Sequence, residues 1–373
     1  MKKIVVIVGT RPEAIKLIPV YRELKKQPEF VVQIISTGQH KEMLDSIFNF
    51  FQVVPNRDLK LMAGNQTLDE LTAALLSAST KLFKEITPDL VVVQGDTTTA
   101  MVCALAAFYQ RIQIAHVEAG LRSFDIQAPF PEEVNRKIIS SIASLNFAPT
   151  HFAALNLKRE VVAGKVWVTG NTVIDSLLLA KKKIAGNMAG LENLFSRFLK
   201  DYKRMILITG HRRENFGDGF KNICNSIKTL AKRFPDHSFV YPVHLNPNVR
   251  TTVFAIIDAE PNVFLLDPVP YDQMVFLMMR AHIILTDSGG IQEEAPSLGK
   301  PVLIMRSKTE RPEGIKAGCS KLVGTSEEKI VGQTSKLLTN AKTYQKMAKS
   351  KKPFGKGDSS KLIVEHIKKY FDL

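Results

Sequence analysis

Short runs of apolar residues recur along the whole chain, and each is followed by a longer stretch with the spacing of an amphipathic helix. In the first half these runs lie at residues 4–8, 31–36, 90–94, 113–117 and 144–148. Such alternation predicts strands of a parallel sheet that are joined by helical crossovers. The fold class that follows is α/β.

The pattern restarts once, after a polar, lysine-rich stretch at residues 181–203. A second series of apolar runs lies at 205–209, 239–243, 263–266, 283–286 and 302–305. A chain of 373 residues is also longer than one core usually serves. We therefore expect two α/β domains, over 1–172 and 173–358, and a last amphipathic helix at 359–373 that packs on one of them.

The charge balance calls for an anionic partner, because 51 Lys and Arg face 36 Asp and Glu, a net charge of +15. Nucleic acid, a membrane surface and a phosphorylated small molecule all satisfy that requirement. The basic residues are dispersed, with no basic arm and no zinc-finger spacing, and no apolar run approaches the roughly 20 residues of a membrane span. We expect neither nucleic acid nor membrane as partner.

Cysteine usage and the start of the chain favour the cytoplasm. Cys103, Cys224 and Cys319 are odd in number and far apart, which suits reduced thiols better than disulfides or a metal site. The first apolar run is interrupted by Arg11, too early for a signal peptide. We predict no bound metal.

Charged side chains follow several strands of the first half, at the sheet edge where parallel α/β proteins bind ligands. Arg11 and Lys16 follow the first strand, Asp96 and Glu118 follow two later ones, and Glu132 opens a further helix. Each also fits a purely local role: a capping box for the first loop, an N-cap for Asp96, and a favourable helix-start carboxylate for Glu132. As a set, the three carboxylates favour acid–base chemistry.

The second half supplies groups that suit an anion. His211 follows its first strand and His244 its second, although His244 alone is equally compatible with a structural role. The stretch DSGGIQEEA (287–295) places two glycines at a helix start, where backbone N–H groups bind phosphate, and Glu294 a turn later, where it can accept ribose hydroxyls. The same residues could form only a flexible Gly-Gly turn; the arrangement otherwise describes a nucleotide-sugar site.

These stretches together resemble the non-hydrolysing UDP-N-acetylglucosamine 2-epimerases, nearly end to end. The matching segments, in order and with the family's spacing, are GTRPEAIK (9–16), GDTTTA (95–100), HVEAGLRS (116–123), PFPEEVNR (129–136), VTGNTVID (168–175), TGHRREN (209–215), YPVHLNPNVR (241–250), LTDSGGIQEEAPSLGKPVL (285–303) and TERPEG (309–314).

The resemblance implies the GT-B fold: two Rossmann-like domains facing across a cleft, the second binding UDP, with the C-terminal helix packed back on the first. It implies reversible epimerisation of UDP-GlcNAc to UDP-ManNAc without a cofactor, by anti elimination of UDP to 2-acetamidoglucal and re-addition. It further implies a supply of ManNAc-type sugars for surface polysaccharide, and a homodimer.

The resemblance also implies roles for individual residues. The catalytic set it gives is Asp96, Glu118, Glu132 and His211. Asp96 and Glu118 are the expected proton carriers, and Glu132 is tied to domain closure. The substrate-binding set is Arg11, Lys16, Arg136, Asn171, Arg213, Leu266, Tyr271, Ser288, Gly289, Gly290, Glu294 and Arg311. The resemblance places Arg11, Lys16 and His211, with the 288–290 backbone, at the diphosphate. It places Arg311 at the phosphates or the sugar, Glu294 at the ribose, and the loop from Leu266 to Tyr271 at the uracil.

A second, allosteric UDP-GlcNAc pocket occurs in bacterial members of the family. The positions here that match it are Gln39, His40, Gln66, Glu133, Arg212 and His244. Asn65 stands where allosterically regulated members often carry arginine.

Two further departures from the family bear on the substrate. Ser307 and Lys308 replace two residues of a segment that reads RDTTERPE in typical members. Lys308 raises the possibility of a 2-epimerase for a related UDP-acetamido sugar, including an anionic uronate. The sequence is also compatible with a hydrolysing epimerase that releases UDP, and with a GT-B glycosyltransferase.

Overall fold

A computed structural model describes residues 1–38, 41–61, 66–349 and 352–373 of the chain. These residues form two compact units: Met1–Leu178 with Phe354–Leu373, here called unit 1, and Leu179–Pro353, here called unit 2. The boundaries expected from the sequence lie a few residues away, at 172/173 and 358/359.

Unit 1 is built on a seven-stranded parallel sheet with the strand order β3-β2-β1-β4-β5-β6-β7. The strands are β1 Lys2–Val8, β2 Phe30–Ser36, β3 Arg57–Asp58, β4 Leu90–Gln94, β5 Gln113–Val117, β6 Leu145–Ala148 and β7 Lys165–Val168. The helices are α1 Arg11–Lys25, α2 Lys41–Phe51, α3 Leu68–Ile86, α4 Thr98–Tyr109, α5 Glu132–Ile142, α6 His151–Arg159 and α7 Thr172–Ile184, the last of which runs into unit 2. The central strand β4 is buried along its whole length, as crossovers on both faces require.

Unit 2 repeats the design with a six-stranded parallel sheet, in the order β10-β9-β8-β11-β12-β13. Its strands are β8 Arg204–Thr209, β9 His237–Pro242, β10 Val263–Leu266, β11 Ile283–Thr286, β12 Val302–Ile304 and β13 Ser320–Leu322. Its helices are α8 Met188–Leu194, α9 Ser196–Leu199, α10 Asp218–Arg233, α11 Pro247–Ile257, α12 Tyr271–Arg280, α13 Gly289–Ser297, α14 Pro312–Lys316, α15 Glu327–Thr339 and α16 Ala341–Ala348, with 3-10 turns at Ala185–Asn187 and Arg213–Asn215. The α/β class predicted from the sequence is confirmed in both units.

The last helix, α17 Ser359–Tyr370, belongs to unit 1. Its N-terminus is held by the buried carboxylate of Asp175, which accepts from the N–H of Ser360 at 2.9 Å and from its hydroxyl at 2.5 Å. Further along, the ring of His366 stacks on Trp167 with centroids 4.8 Å apart. These contacts fasten α17 to helix α7 and to strand β7.

In the part of the chain that the structure describes, no helix is long and apolar enough to cross a membrane.

Candidate active site

Glu118 directly follows β5 in unit 1 and is buried. Its Oε2 accepts from the Nζ of Lys16, in an ion pair, and from Nε2 of Gln94 at 3.0 Å. Its backbone φ is +64°, a region uncommon for residues other than glycine. A carboxylate out of water requires such a partner, and Lys16 supplies the opposite charge.

Asp96 follows β4, the strand that pairs with β5. Arg136 on α5 donates two hydrogen bonds to Oδ2 of Asp96, from Nε at 2.8 Å and from Nη2 at 2.6 Å. Nδ2 of Asn135 donates to the main-chain oxygen of Asp96 at 2.9 Å. The structure therefore brings Asp96 and Glu118 to the same sheet edge and gives each a cationic partner. For Lys16 and Arg136 it shows contact with a carboxylate, and their predicted role at the substrate remains a prediction.

Glu132 and Glu133, at the start of α5, lie in contrasting surroundings. Glu133 is fully buried and accepts from the backbone N–H of Ser123 at 2.9 Å and of Phe124 at 3.1 Å, and from Arg136 Nη1 at 2.7 Å. Glu133 thereby ties the loop that precedes α5 to the first turn of that helix. Its predicted contact with an allosteric UDP-GlcNAc remains a prediction. Oε2 of Glu132 is buried and has no hydrogen-bond partner among the described residues.

Asp287 organises the corresponding edge of unit 2. Its buried Oδ2 accepts from the backbone N–H groups of His211 and Arg212, both at 2.9 Å, and from Nδ2 of Asn215 at 3.2 Å. This fixes the loop after β8 beside the loop after β11. The ring of His211 stacks on that of His244, with centroids 5.0 Å apart and planes 14° from parallel, and its Nδ1 lies 3.8 Å from Oδ1 of Asp287.

The guanidinium of Arg311 lies over the first turn of α13. A Cβ at Gly289 would lie only 2.7 Å from Cζ of Arg311, so glycine is what allows the two to approach. Nε of Arg311 donates to the buried Glu293 at 2.6 Å, and Nη1 contacts Glu310. A cation beside the N–H groups of a helix start is an arrangement that suits a phosphate-type anion.

Behind Arg311 lies a chain of alternating charges. Glu310 contacts Arg311 and accepts from Arg306 at 3.0 Å, and Arg306 in turn donates to Glu214 at 2.6 Å. Burial alone would raise the pKa of Glu310, but Arg311, Arg306 and Arg212 together hold it well below its usual range. Glu310 stays a carboxylate and keeps the orientation of both arginines.

Glu294 and Tyr271, the residues expected at the ribose and the uracil, are brought into contact. The hydroxyl of Tyr271, at the start of α12, donates to Oε1 of Glu294 at 2.7 Å. Both side chains are buried. Leu266 ends β10 a few residues before Tyr271, as predicted for the loop that follows that strand.

The remaining predicted site residues are placed as follows. Asn171 is buried in unit 1, where its Oδ1 accepts from the N–H of Val173 at 3.0 Å. Arg11 begins α1, Gln66 lies just before α3, and Ser288 is the N-cap residue of α13, ahead of Gly290. Gln39, His40, Asn65 and the side chain of Arg213 lie outside the described residues.

Several residues that hold the site were not singled out from the sequence. They are Glu13, Gln94, Asp287, Glu293 and Glu310. All five lie inside or beside the motifs discussed above. They could have been found as polar side chains in segments whose flanking residues are buried.

Glu13 has an unusual proton affinity. Burial raises the pKa of its carboxyl to about 7, against hydrogen bonds from Thr97, Thr10 and Gly9 that lower it.

No group of three or more His, Cys, Asp or Glu side chains suited to a metal ion occurs in the described ranges.

Comparison with known proteins gives a consistent answer. The profile of a family described as "UDP-N-acetylglucosamine 2-epimerase" matches residues 22–368. A protein of Neisseria meningitidis named UDP-N-acetylglucosamine 2-epimerase is 47% identical over 98% of this chain and 99% of its own length. One of Escherichia coli K12 with the same name is 47% identical over 98% of each chain.

The structure of the Neisseria meningitidis UDP-GlcNAc 2-epimerase bound to UDP-GlcNAc superposes with a TM-score of 0.95 at 46% identity, covering 99% of this chain and 100% of that one. The two parallel, helix-flanked sheets have the GT-B-like architecture of such structures.

Proposed function

The chain belongs to the UDP-N-acetylglucosamine 2-epimerase family and is an isomerase, and from that premise we propose how it acts. It interconverts UDP-GlcNAc and UDP-ManNAc by anti elimination of UDP and re-addition. The observation that carries this proposal is the pair of cation-held carboxylates, Asp96 and Glu118, at the ends of neighbouring strands.

The reaction inverts a carbon whose proton is not acidified by an adjacent carbonyl group. A base removes the C2 proton, the electron pair forms the C1–C2 double bond, and the C1–O bond breaks with its electrons passing to the diphosphate. The intermediates are 2-acetamidoglucal and UDP. An acid then delivers a proton to the other face of C2 while UDP adds back to C1.

Two carboxylates suit this sequence because one proton leaves from one face and another arrives at the opposite face. We assign the two proton-carrying roles to Asp96 and Glu118. Arg136 and Lys16 hold one oxygen of each, which fixes the orientation of the carboxylate. Glu132, at the start of α5, is the third carboxylate of the proposed set.

The groups of unit 2 suit the leaving diphosphate. Arg311 supplies positive charge, and the first turn of α13 and the His211 ring supply hydrogen-bond donors, which together stabilise the charge that develops as the C1–O bond breaks. Glu294, already accepting from Tyr271, supplies a carboxylate for the ribose hydroxyls. The likeness to a relative solved with UDP-GlcNAc supports this assignment.

The product is a ManNAc-type nucleotide sugar, and we propose surface polysaccharide as its destination and a homodimer as the active form. Both statements come from the family resemblance.

Product analysis tests the proposal. The purified protein is incubated with UDP-GlcNAc, and the mixture is followed by NMR and by an assay for free UDP. We expect UDP-ManNAc to accumulate to a constant ratio with UDP-GlcNAc, without net release of UDP. Stoichiometric release of UDP with free ManNAc would instead identify a hydrolysing enzyme, and an absence of turnover would reject UDP-GlcNAc as substrate.

A further inference from the structure

The carboxylate of Glu13 connects two loops that lie far apart in the sequence. Oε2 accepts from the backbone N–H of Gly9 at 3.0 Å and of Thr10 at 2.6 Å, in the loop between β1 and α1. Oε1 accepts from the hydroxyl of Thr97 at 2.7 Å, in the loop between β4 and α4. Glu13 is 1% exposed, so its hydrogen bonds are not shared with solvent.

A second capping box in the same unit shows which of these contacts go beyond capping. Glu70 holds the third position of α3 as Glu13 holds that of α1, and it accepts from the N–H of its N-cap residue, Thr67, at 2.9 Å. Glu70 is exposed. Local capping therefore needs neither burial of the glutamate nor a bond to a distant loop, and both are found at Glu13.

The loop that Glu13 holds carries Asp96, the residue directly before Thr97. One turn further along α1, Lys16 is paired with Glu118. Glu13 and Lys16 lie three positions apart in α1, and therefore on one face of the helix. The first two turns of α1 are therefore in contact with both loops that carry the proposed proton carriers.

We propose that Glu13 is a positioning residue for the reaction: its buried carboxylate fastens the loop of Asp96 to the first turn of α1, and Lys16 in the second turn holds Glu118. Glu13 fixes the spacing between the two proton carriers without contacting the substrate. The role rests on the function proposed above, because it assigns Glu13 to the reaction of Asp96 and Glu118.

Glutamine at position 13 changes the hydrogen bonds of the side chain while keeping its volume. It has the size of glutamate but only one accepting oxygen, so with that oxygen on the backbone N–H groups the charge-assisted bond from the Thr97 hydroxyl is replaced at best by a neutral bond that Nε2 donates. Small displacements of reacting groups lower rates strongly, whereas Arg311, the first turn of α13 and Glu294, assigned above to the diphosphate and the ribose, belong to unit 2. Glu13→Gln should lower kcat by at least about tenfold and leave KM for UDP-GlcNAc within about threefold.

The matched control is Glu70→Gln, which alters the exposed capping box of α3 and should keep the wild-type kcat. A second pair tests the opposite end of the bond. Thr97→Ala removes the hydroxyl that donates to Glu13 and should lower kcat as Glu13→Gln does, whereas Thr97→Ser keeps a hydroxyl and should restore most of the rate.

The outcomes are separable. Equal kcat values for Glu13→Gln and Glu70→Gln would overturn the proposal while leaving the epimerase function in place. If Glu13→Gln does not fold, equal rates of Thr97→Ala and Thr97→Ser overturn it in the same way. If the wild-type protein itself does not act on UDP-GlcNAc, the proposed function falls, and the role of Glu13 with it.

Discussion

The two sheets end in loops of opposite electrostatic design. In unit 1 the central groups are carboxylates, Asp96 and Glu118, and a cation holds each of them in place. In unit 2 the central group is a cation, Arg311, and carboxylates hold it over a helix start. An oriented carboxylate suits proton transfer, and an oriented guanidinium suits a phosphate. Similar α/β units have thus come to hold different parts of one proposed reaction.

Removing the acid function from unit 1 should have the largest effect. Asp96→Asn or Glu118→Gln is expected to lower turnover by at least about a hundredfold, because the amide cannot exchange the proton. UDP should still bind, because Arg311, the first turn of α13 and Glu294, which are proposed to hold its diphosphate and ribose, belong to unit 2. Turnover is measured with UDP-GlcNAc and UDP affinity by calorimetry.

Near wild-type turnover in both variants would contradict the assignment of proton transfer to unit 1 and of diphosphate binding to unit 2. So would a loss of UDP binding that parallels the loss of rate.

Removing the cation that holds Glu118 should destabilise unit 1. The side chains of Lys16 and Glu118 are 8% and 6% exposed, so Lys16→Met leaves a buried charge without its partner. The expected loss in the free energy of unfolding is about 3 kcal/mol. Trp167 is the only tryptophan and lies in β7, so its fluorescence reports the unfolding of unit 1 in urea.

The comparison for this prediction is Arg57→Gln, which breaks the solvent-exposed pair of Arg57 with Glu85 and should leave the unfolding curve unchanged. Equal effects of the two substitutions would mean that Lys16 is an ordinary surface cation.

Glu13 should make the stability of unit 1 depend on pH. Its pKa is about 7 in the folded protein and 4.5 as a reference value, so the folded state binds the proton more tightly. Its contribution to stability is therefore present at low pH and is lost as the pH rises from about 4.5 to about 7. Glutamine does not titrate, so the free energy of unfolding of Glu13→Gln does not fall in this way. Relative to the wild type, it should rise by about 3 kcal/mol at most between pH 4.5 and pH 7.

The measurement is urea unfolding at pH 5 and pH 8, followed by Trp167 fluorescence, with Glu70→Gln as control. A difference between Glu13→Gln and wild type that is the same at both pH values would show that the carboxyl titrates normally.

Crowding the anion site of unit 2 should have the smallest effect of the four. Alanine at Gly289 brings a methyl group within 2.7 to 2.9 Å of the Arg311 guanidinium, which must shift. One weakened charge-assisted contact corresponds to roughly tenfold in UDP affinity. Calorimetric titration with UDP measures it.

Gly332→Ala is the matched control, because Gly332 lies inside α15 with nothing within 4 Å of a Cβ. UDP affinities that are equal in the two alanine variants would remove Arg311 from the anion site.

The parts of the fold predicted best from the sequence are the central strands. The bounds of β4, β5 and β11 agree with the predicted apolar runs, because a strand buried on both faces must be apolar throughout. The bounds of β10 also agree, although it ends its sheet. Strands β3, β7 and β13 were not predicted. They end the two sheets, and β3 is two exposed, charged residues whose pairing is set by the neighbouring strand.

For the site, the sequence predicts which loops carry the chemistry but not which side chains meet. Lys16 and Arg136 were expected at the substrate, and the structure pairs them with carboxylates that lie 102 and 40 positions away in the chain. Glu13 has the sequence signature of a local cap, because its distant partner, Thr97, becomes a neighbour only when β1 and β4 pair. Contacts of this kind depend on strand order, which periodicity alone does not give.

The central claim is that a proton is exchanged at C2 of the sugar by the carboxylates of unit 1. It is tested most directly by incubating the wild-type protein with UDP-GlcNAc in deuterated water and locating the isotope by NMR. The account predicts one deuterium at C2 of both UDP-GlcNAc and UDP-ManNAc, and none within the same time in Asp96→Asn or Glu118→Gln. Epimerisation by the wild type without deuterium at C2 would contradict it.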